Sequence, residues 1–315
     1  MYTKYIHVHS IVRVDDAERY GHRMNGYEKK AYAKINLGLD VVRRLENGYH
    51  EVKMVMQTVG IYDVLTFEKI EEGIVVSTDS GELPTDENNL IYKAARLMKE
   101  RFDVQEGVRI HLQKNIPIAA GMAGGSTDAA ATLKGMNDLF DLKCSLEELQ
   151  EIGVRIGADV PYCVMGGTAL AEGIGEKLTA LPAAPDCFLV VAKPDINVST
   201  KYVYEHLDAE GVEKHPDIDG MVEAIRNQDL DGVCKRMENV LETVTEKKYP
   251  VISELKKMLL DAGAENSLMS GSGPTVFAIF KEEAKANEAL KKVEESELAK
   301  QSFVTVFAKE TQVEV

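Results

Sequence analysis

The stretch NIPIAAGMAGGSTDAAATL, residues 115–133, carries the densest chemistry-bearing pattern in the chain. Glycines let backbone amides approach a ligand closely, and the helical pattern that follows offers unpaired N–H groups and the positive end of its dipole. Together these would cradle a phosphate. The lysine that a Walker loop G-x-x-x-x-G-K-[ST] requires is missing, and so is the regular G-x-G-x-x-G spacing of a dinucleotide fold. On local grounds the alternative is a mobile surface loop or a close packing contact. Ser126 and Thr127 would cap the helix, or present hydroxyls to a phosphate or to Mg²⁺, or do both.

A second glycine turn lies in SLMSGSGPTVFAIF, residues 267–280, where Ser270 to Gly273 would offer further amides to the same anion. Its plain alternative is a loop whose glycines take positive φ. Asp159, in IGADVPYC, precedes Val160-Pro161, which suits a helix N-cap; the functional alternative is a carboxylate base facing a hydroxyl. Lys34 sits mid-strand between apolar neighbours. A lone strand lysine is ordinarily solvated, yet this one shares a face with Tyr32 and Asn36, both able to hydrogen-bond. In ENGYHEV, residues 46–52, Tyr49 and His50 follow a turn and would stack on and hydrogen-bond a ring, or simply open a strand.

These groups need a scaffold. AYAKINLGLDVV, residues 31–42, alternates with Ala33, Ile35, Leu37 and Leu39 on one face, and Asn47-Gly48 marks a tight turn. Further strands are expected at 52–59, 63–69, 74–77 and 108–113, with a helix at 89–102. Helices follow at 126–140 and from 145, where Ser145 and Glu148 form a capping box, to the stop at Gly157. Strands are expected at 168–171, 188–192, 275–280 and 302–309, and helices at 218–227, 230–245, 250–262 and 282–296. Strands first and helices later argue α+β rather than a repeating βαβ wind.

Length and composition agree with this. At about 150 residues per domain, 315 residues suggest two domains. We place the boundary near 182–185, giving an N-terminal extension 1–27 and domains 28–184 and 185–315. With 44% apolar and 28% charged residues the chain is ordinary globular protein, which excludes fibrous and disordered classes. A net charge of −15 repels phosphate backbones and excludes a nucleic-acid partner, so any anionic ligand must be held locally. Four scattered cysteines without C-x-x-C spacing read as reduced core residues. No apolar run approaches the ~18 residues of a membrane span, and residues 1–23 lack a secretory centre, so a cytoplasmic protein without a membrane partner is expected. His7 and His9 lack a third ligand nearby, and TKYIHVHSIV reads instead as an edge strand or a tail.

Taken in order, AYAKINLGLDVVRRLENGYHEV, IPIAAGMAGGSTDAA, IGADVPYCVMGGTALAEGIGEKL and SGSGPTVFA resemble the motifs of the GHMP small-molecule kinases over about residues 28–310. The resemblance implies a two-domain α+β fold, an N-terminal domain like the second domain of ribosomal protein S5 and a ferredoxin-like C-terminal domain. It implies ATP and Mg²⁺ as cofactors. The triphosphate loop maps onto Pro117, Ile118, Ala119, Ala120, Gly121, Met122, Ala123, Gly124, Gly125, Ser126 and Thr127, with adenine near Asn89. The catalytic pair maps onto Lys34 and Asp159, and Ser126 is the metal candidate. The lysine strand with its Tyr-His pair and the G-A-D-V-P run point, by resemblance, to a cytidine diphosphate methylerythritol substrate. Its contacts would be Asn36, Tyr49, His50, Thr200 and Tyr204, with Tyr202 competing for the last place. A monomer or weak homodimer is expected. Residues 1–27 have no counterpart in the family pattern, and Ala123 stands where glycine is commoner.

Overall fold

The computed structural model describes residues 27–308, apart from 210, 211 and 213. The expected extension, with His7, His9 and the edge-strand alternative, lies outside the described residues except for Tyr27, which opens the first strand.

Strand β1 (Tyr27–Arg44) and strand β2 (His50–Ile70) form a long antiparallel hairpin around the Asn47-Gly48 turn. The two short strands expected at 52–59 and 63–69 are one element of 21 residues. It is long because its free edge serves two partners: β5 (Thr168–Gly173) along its first half and β4 (Gly107–Gln113) along its second. With β3 (Ile74–Thr78) and β6 (Lys177–Leu181) the first sheet has six strands, ordered β3-β4-β2-β5-β6 with β1 paired to β2.

Helices α1 (Leu90–Phe102), α2 (Gly124–Leu139), α3 (Leu146–Val154) and α4 (Val160–Met165) bury Ile91, Met98, Leu133, Met136, Leu149 and Val160 against Leu65, Phe67, Ile110 and Leu112 of that sheet. Local signals set their starts: the Asn89 side chain accepts from the Ile91 amide, and Ser145 and Glu148 close the reciprocal capping box.

The second sheet runs β10-β7-β9-β8, all antiparallel, from β7 (Phe188–Lys193), β8 (Asn266–Met269), β9 (Val276–Phe280) and β10 (Gln301–Val306). Helices α9 (Val251–Asp261) and α10 (Glu283–Ser296) cover one face through Ile252, Leu255, Leu259, Ala286 and Val293. The other face meets the first sheet in a shared core, where Ile35, Leu37 and Val55 join Leu189, Val191, Phe277 and Ile279.

Between β7 and β8 come α5 (Thr200–His206), α6 (Ile218–Arg226), α7 (Leu230–Lys235) and α8 (Glu242–Lys248). The single helix expected at 230–245 is therefore broken in two. The interruption pairs with β1: the Leu39 amide donates to Glu238 O at 2.9 Å and the Val240 amide to Leu39 O at 3.0 Å. Tertiary pairing outweighs the local helical period there.

Candidate active site

The glycine loop connects β4 to α2 and is held from three sides. The Lys34 amide of β1 donates to Met122 O at 3.2 Å, and the Thr127 hydroxyl donates to Tyr32 O at 2.7 Å. The third contact is the second glycine turn, whose Ser270 hydroxyl donates to Gly121 O at 3.0 Å. Neither Ser126 nor Thr127 caps α2. The cap position is Ala123, in the left-handed region at φ 57, and the helix begins at Gly124. The first amides of any helix lack intrahelical acceptors, which leaves those of Gly124, Gly125 and Ser126 for an anion. In the second turn the Ser270 and Gly273 amides are already spent, on Thr275 O and Ser270 O.

Beside the loop opens a cleft of about 170 Å³, walled by Leu83, Pro84, Asn88, Asn89 and Leu90 on one side and by Pro117, Ile118, Ala119, Gly124 and Gly125 on the other. Asn89 shapes this wall, because its carboxamide is committed to Ile91 N at 2.8 Å and Pro84 O at 2.6 Å. Lys114 and Asp128 complete its lining, and with Asp63 behind them they form a charged group that the sequence reading missed. Asp63, fully buried, accepts from the amides of Asn115 and Ile116 and pairs with Lys114, whose ammonium also lies 3.5 Å from Asp128. Burial, and then the neighbouring Asp63 charge, push the Asp128 carboxyl well above the usual carboxylate range. Lys114 adjoins the glycine-loop stretch in sequence, while Asp63 and Asp128 meet it through tertiary folding alone.

Lys34 is buried, 5% exposed, rather than solvated as a lone strand lysine ordinarily is. Its ammonium donates to Asn36 Oδ1 at 2.8 Å and lies 3.9 Å from Asp159 Oδ2. Asp159 occupies the cap position of α4, but its side chain makes no cap hydrogen bond, so the carboxylate is left for other work. A Cβ placed on Gly157 would lie 4.0 Å from Ser126 Oγ, which puts that hydroxyl close to the segment leading into Asp159. Desolvation, and then the Asp159 charge, push the Cys163 thiol up, so this half-buried cysteine stays a thiol near Asp159.

On the far side of the pair, the His50 and Tyr204 rings face each other with centroids 5.1 Å apart and planes 37° apart. Tyr202 is occupied elsewhere, stacked on His206 at 3.9 Å with the Lys248 ammonium 3.3 Å over its ring. Burial, and then the Asp159 charge, raise the Tyr204 phenol to about 12, while burial and Arg44 lower His50. Tyr49 is 60% exposed at the hairpin tip. Thr200 Oγ1 lies 2.8 Å from Ser272 Oγ, tying α5 to the second glycine turn. Contacts thus join Lys34 to Asn36, Asp159 and the glycine loop, and His50 to Tyr204, whose phenol feels the Asp159 charge.

Known proteins match this chain in both its halves. Residues 89–167 match the family model described as GHMP kinases N terminal domain, and residues 221–299 match GHMP kinases C terminal. A 4-diphosphocytidyl-2-C-methyl-D-erythritol kinase from Lachnospira eligens is 59% identical over 261 residues, which is 82% of this chain and 91% of that one. One of the same name from Lachnoclostridium phytofermentans is 53% identical, covering 88% of this chain and 96% of that one. A crystal structure of a 4-(cytidine 5'-diphospho)-2C-methyl-D-erythritol kinase superposes with a TM-score of 0.78 at 30% identity, over 90% of this chain and 100% of that one. A homoserine kinase from Cytophaga hutchinsonii shares the fold at a TM-score of 0.70 and 22% identity, over 92% and 96% of the two chains.

Proposed function

We infer the work of each site residue from one premise: the chain belongs to the GHMP kinases, in the branch of the 4-diphosphocytidyl-2-C-methyl-D-erythritol kinases. It is an ATP-dependent phosphotransferase of the non-mevalonate isoprenoid pathway. The reaction moves the γ-phosphoryl group of ATP to the 2-hydroxyl of 4-diphosphocytidyl-2-C-methyl-D-erythritol, giving the 2-phosphate and ADP.

The observation that carries the assignment of roles is the meeting of Lys34 and Asp159 at 3.9 Å beside the glycine loop. Asp159 accepts the hydroxyl proton as the oxygen attacks the γ-phosphorus. The bond from that phosphorus to the β,γ-bridging oxygen breaks, and ADP leaves. Lys34, steadied by Asn36, holds the carboxylate and the hydroxyl in line and offsets charge on the transferring group. Phosphoryl transfer asks mainly for alignment and charge neutralisation, which the free amides at the start of α2 extend without a Walker lysine. The triphosphate lies along residues 117–127 and adenine in the cleft at Asn89. The cytosine ring lies at Tyr49, His50 and Tyr204, and Asn36 and Thr200 bond the substrate's polar groups.

Among the described residues no three His, Cys, Asp or Glu side chains cluster to form a metal cage. Mg²⁺ commonly takes one or two protein ligands together with nucleotide phosphates and water, and Ser126 is the residue that would hold it here. When bound, the ion neutralises phosphate charge.

No described helix is long and apolar enough to cross a membrane. A cytoplasmic monomer or weak homodimer, divided near residues 182–185, completes the reading. The test is a coupled ATP-consumption assay on the cytidyl substrate, with product mass and phosphorus NMR to place the phosphate. Turnover confined to the substrate bearing its cytidine portion supports the reading. Equal turnover of mevalonate, homoserine or free methylerythritol would overturn the cytosine site.

A further inference from the structure

Lys34 and Asp159 lie on separate elements, so something must fix the gap between them. Lys34 on β1 stands directly across the ladder from Thr58 on β2. The buried Thr58 hydroxyl lies 3.0 Å from the phenol oxygen of Tyr162, which is fully buried on α4. The same phenol donates to Gly167 O at 2.8 Å, a carbonyl that also accepts from the Thr58 amide at 3.0 Å. Because the phenol proton goes to Gly167, the Thr58 hydroxyl must be the donor between the two side chains. Helix α4 has only six residues, and Asp159 does not anchor its start. Among the described hydrogen bonds, Tyr162 is therefore the side chain that ties this short helix to the strand opposite Lys34.

We propose that Tyr162, through its hydrogen bond with Thr58, is the positioning residue that sets the separation between Lys34 and Asp159. This rests on the reading of those two as the reacting pair. The phenol is fully buried and bonded to protein partners, and it acts by where it holds the start of α4. The adenine cleft is walled by other residues, so nucleotide binding does not depend on it.

Tyr162→Phe, Thr58→Val, the double variant and Thr58→Ser test the link, each also made in the Asp159→Asn background. A misplacement of about 1 Å in a reacting group can cost ~100-fold in rate. We expect Tyr162→Phe and Thr58→Val each to lower kcat by about 10- to 30-fold with KM for ATP within about twofold. The double variant should be no worse than either single, and Thr58→Ser, which keeps the hydroxyl, should retain wild-type kcat. In Asp159→Asn protein, Tyr162→Phe should have no further effect on the residual rate. A folded Tyr162→Phe enzyme with unchanged kcat overturns the proposal. So does a loss that persists in the Asp159→Asn background or moves in step with melting temperature, since that marks a purely structural role. If Asp159→Asn alone keeps full turnover, the reading of the pair fails and the proposal fails with it.

Discussion

The Lys34 ammonium is closer to the Asn36 carboxamide, at 2.8 Å, than to the Asp159 carboxylate, at 3.9 Å. The neutral partner holds the lysine while the charged partner stays free to receive a proton. Asn36 is itself buried, with its amide nitrogen directed at Met54 Sδ, a weak acceptor, so its oxygen is kept toward Lys34. Asn36→Leu removes that restraint and lets the lysine collapse onto Asp159. We expect kcat to fall about 10- to 100-fold in steady-state assays, with KM for ATP little changed, since one hydrogen bond to a charged group contributes roughly 1.5–3 kcal/mol. Unchanged kcat would show that Asp159 alone positions the lysine.

What was legible in the sequence was what neighbours in sequence decide. The helix expected at 89–102, the Ser145–Glu148 box and the Asn47-Gly48 turn all follow from contacts within a few residues. The alternation of β1 was readable too, but both its faces proved buried, one in the inter-sheet core and the other against the site. Burial of Lys34, freedom of Asp159 from capping and the break between α7 and α8 depend on residues far along the chain. The same holds for Asp63, Lys114 and Asp128, whose charges make sense only as a group. Local statistics favoured a cap at Asp159 because Asp before Val-Pro suits a helix start, and that start is real. What they could not supply was the ammonium waiting opposite.

His50 should make substrate binding pH-dependent in one direction only. Burial and the nearby Arg44 charge hold its imidazole below the ordinary value of 6.5, so the neutral ring prevails at pH 7. The folded state then binds fewer protons than the unfolded chain. This contribution to stability is fully present above 6.5 and is lost as pH falls through the lowered folded value. If the neutral ring bonds cytosine, KM for the cytidyl substrate stays flat from pH 7 to 8 and rises on acidification, and His50→Gln removes the rise. A KM that improves in acid would identify the imidazolium as the binding form.

Lys114 neutralises two buried carboxylates, and Lys114→Met leaves both without a counter-charge. Removing one partner of a buried ion pair costs about 3–5 kcal/mol, so thermal unfolding should drop by roughly 10 °C at pH 8. The sign with pH is opposite to that for His50. Asp128, raised by burial and Asp63, binds a proton more readily folded than unfolded, so its contribution falls as pH rises. Melting curves should therefore show a smaller deficit for Lys114→Met at pH 5 than at pH 8. A deficit that is equal at both, or larger in acid, would mean that the lysine stabilises the cleft through packing rather than charge.

Gly121→Ala separates steric closure of the two glycine turns from simple backbone preference. Gly121 has φ +72, yet Ala119 and Ala123 of the same loop already sit at φ 51 and 57, so the left-handed conformation alone is tolerated here. The added methyl is a different matter: it would lie 2.3 Å from the Ser270 carbonyl oxygen and 3.1 Å from that of Gly273, contacts that only a parting of the turns can relieve. Parting them also breaks the Ser270 hydroxyl bond to Gly121 O. Gly271→Ala is the control, because it shares the positive φ (57) but its nearest contact would be an ordinary 3.4 Å. We expect Gly271→Ala to cost about 1 kcal/mol and Gly121→Ala at least about 2–3 kcal/mol, by denaturant titration. Only Gly121→Ala should raise KM for ATP, by about 10-fold, because it alone displaces the loop that grips the triphosphate. Equal effects from the two substitutions would assign the whole cost to backbone conformation and leave the contact between the turns without a role in nucleotide binding.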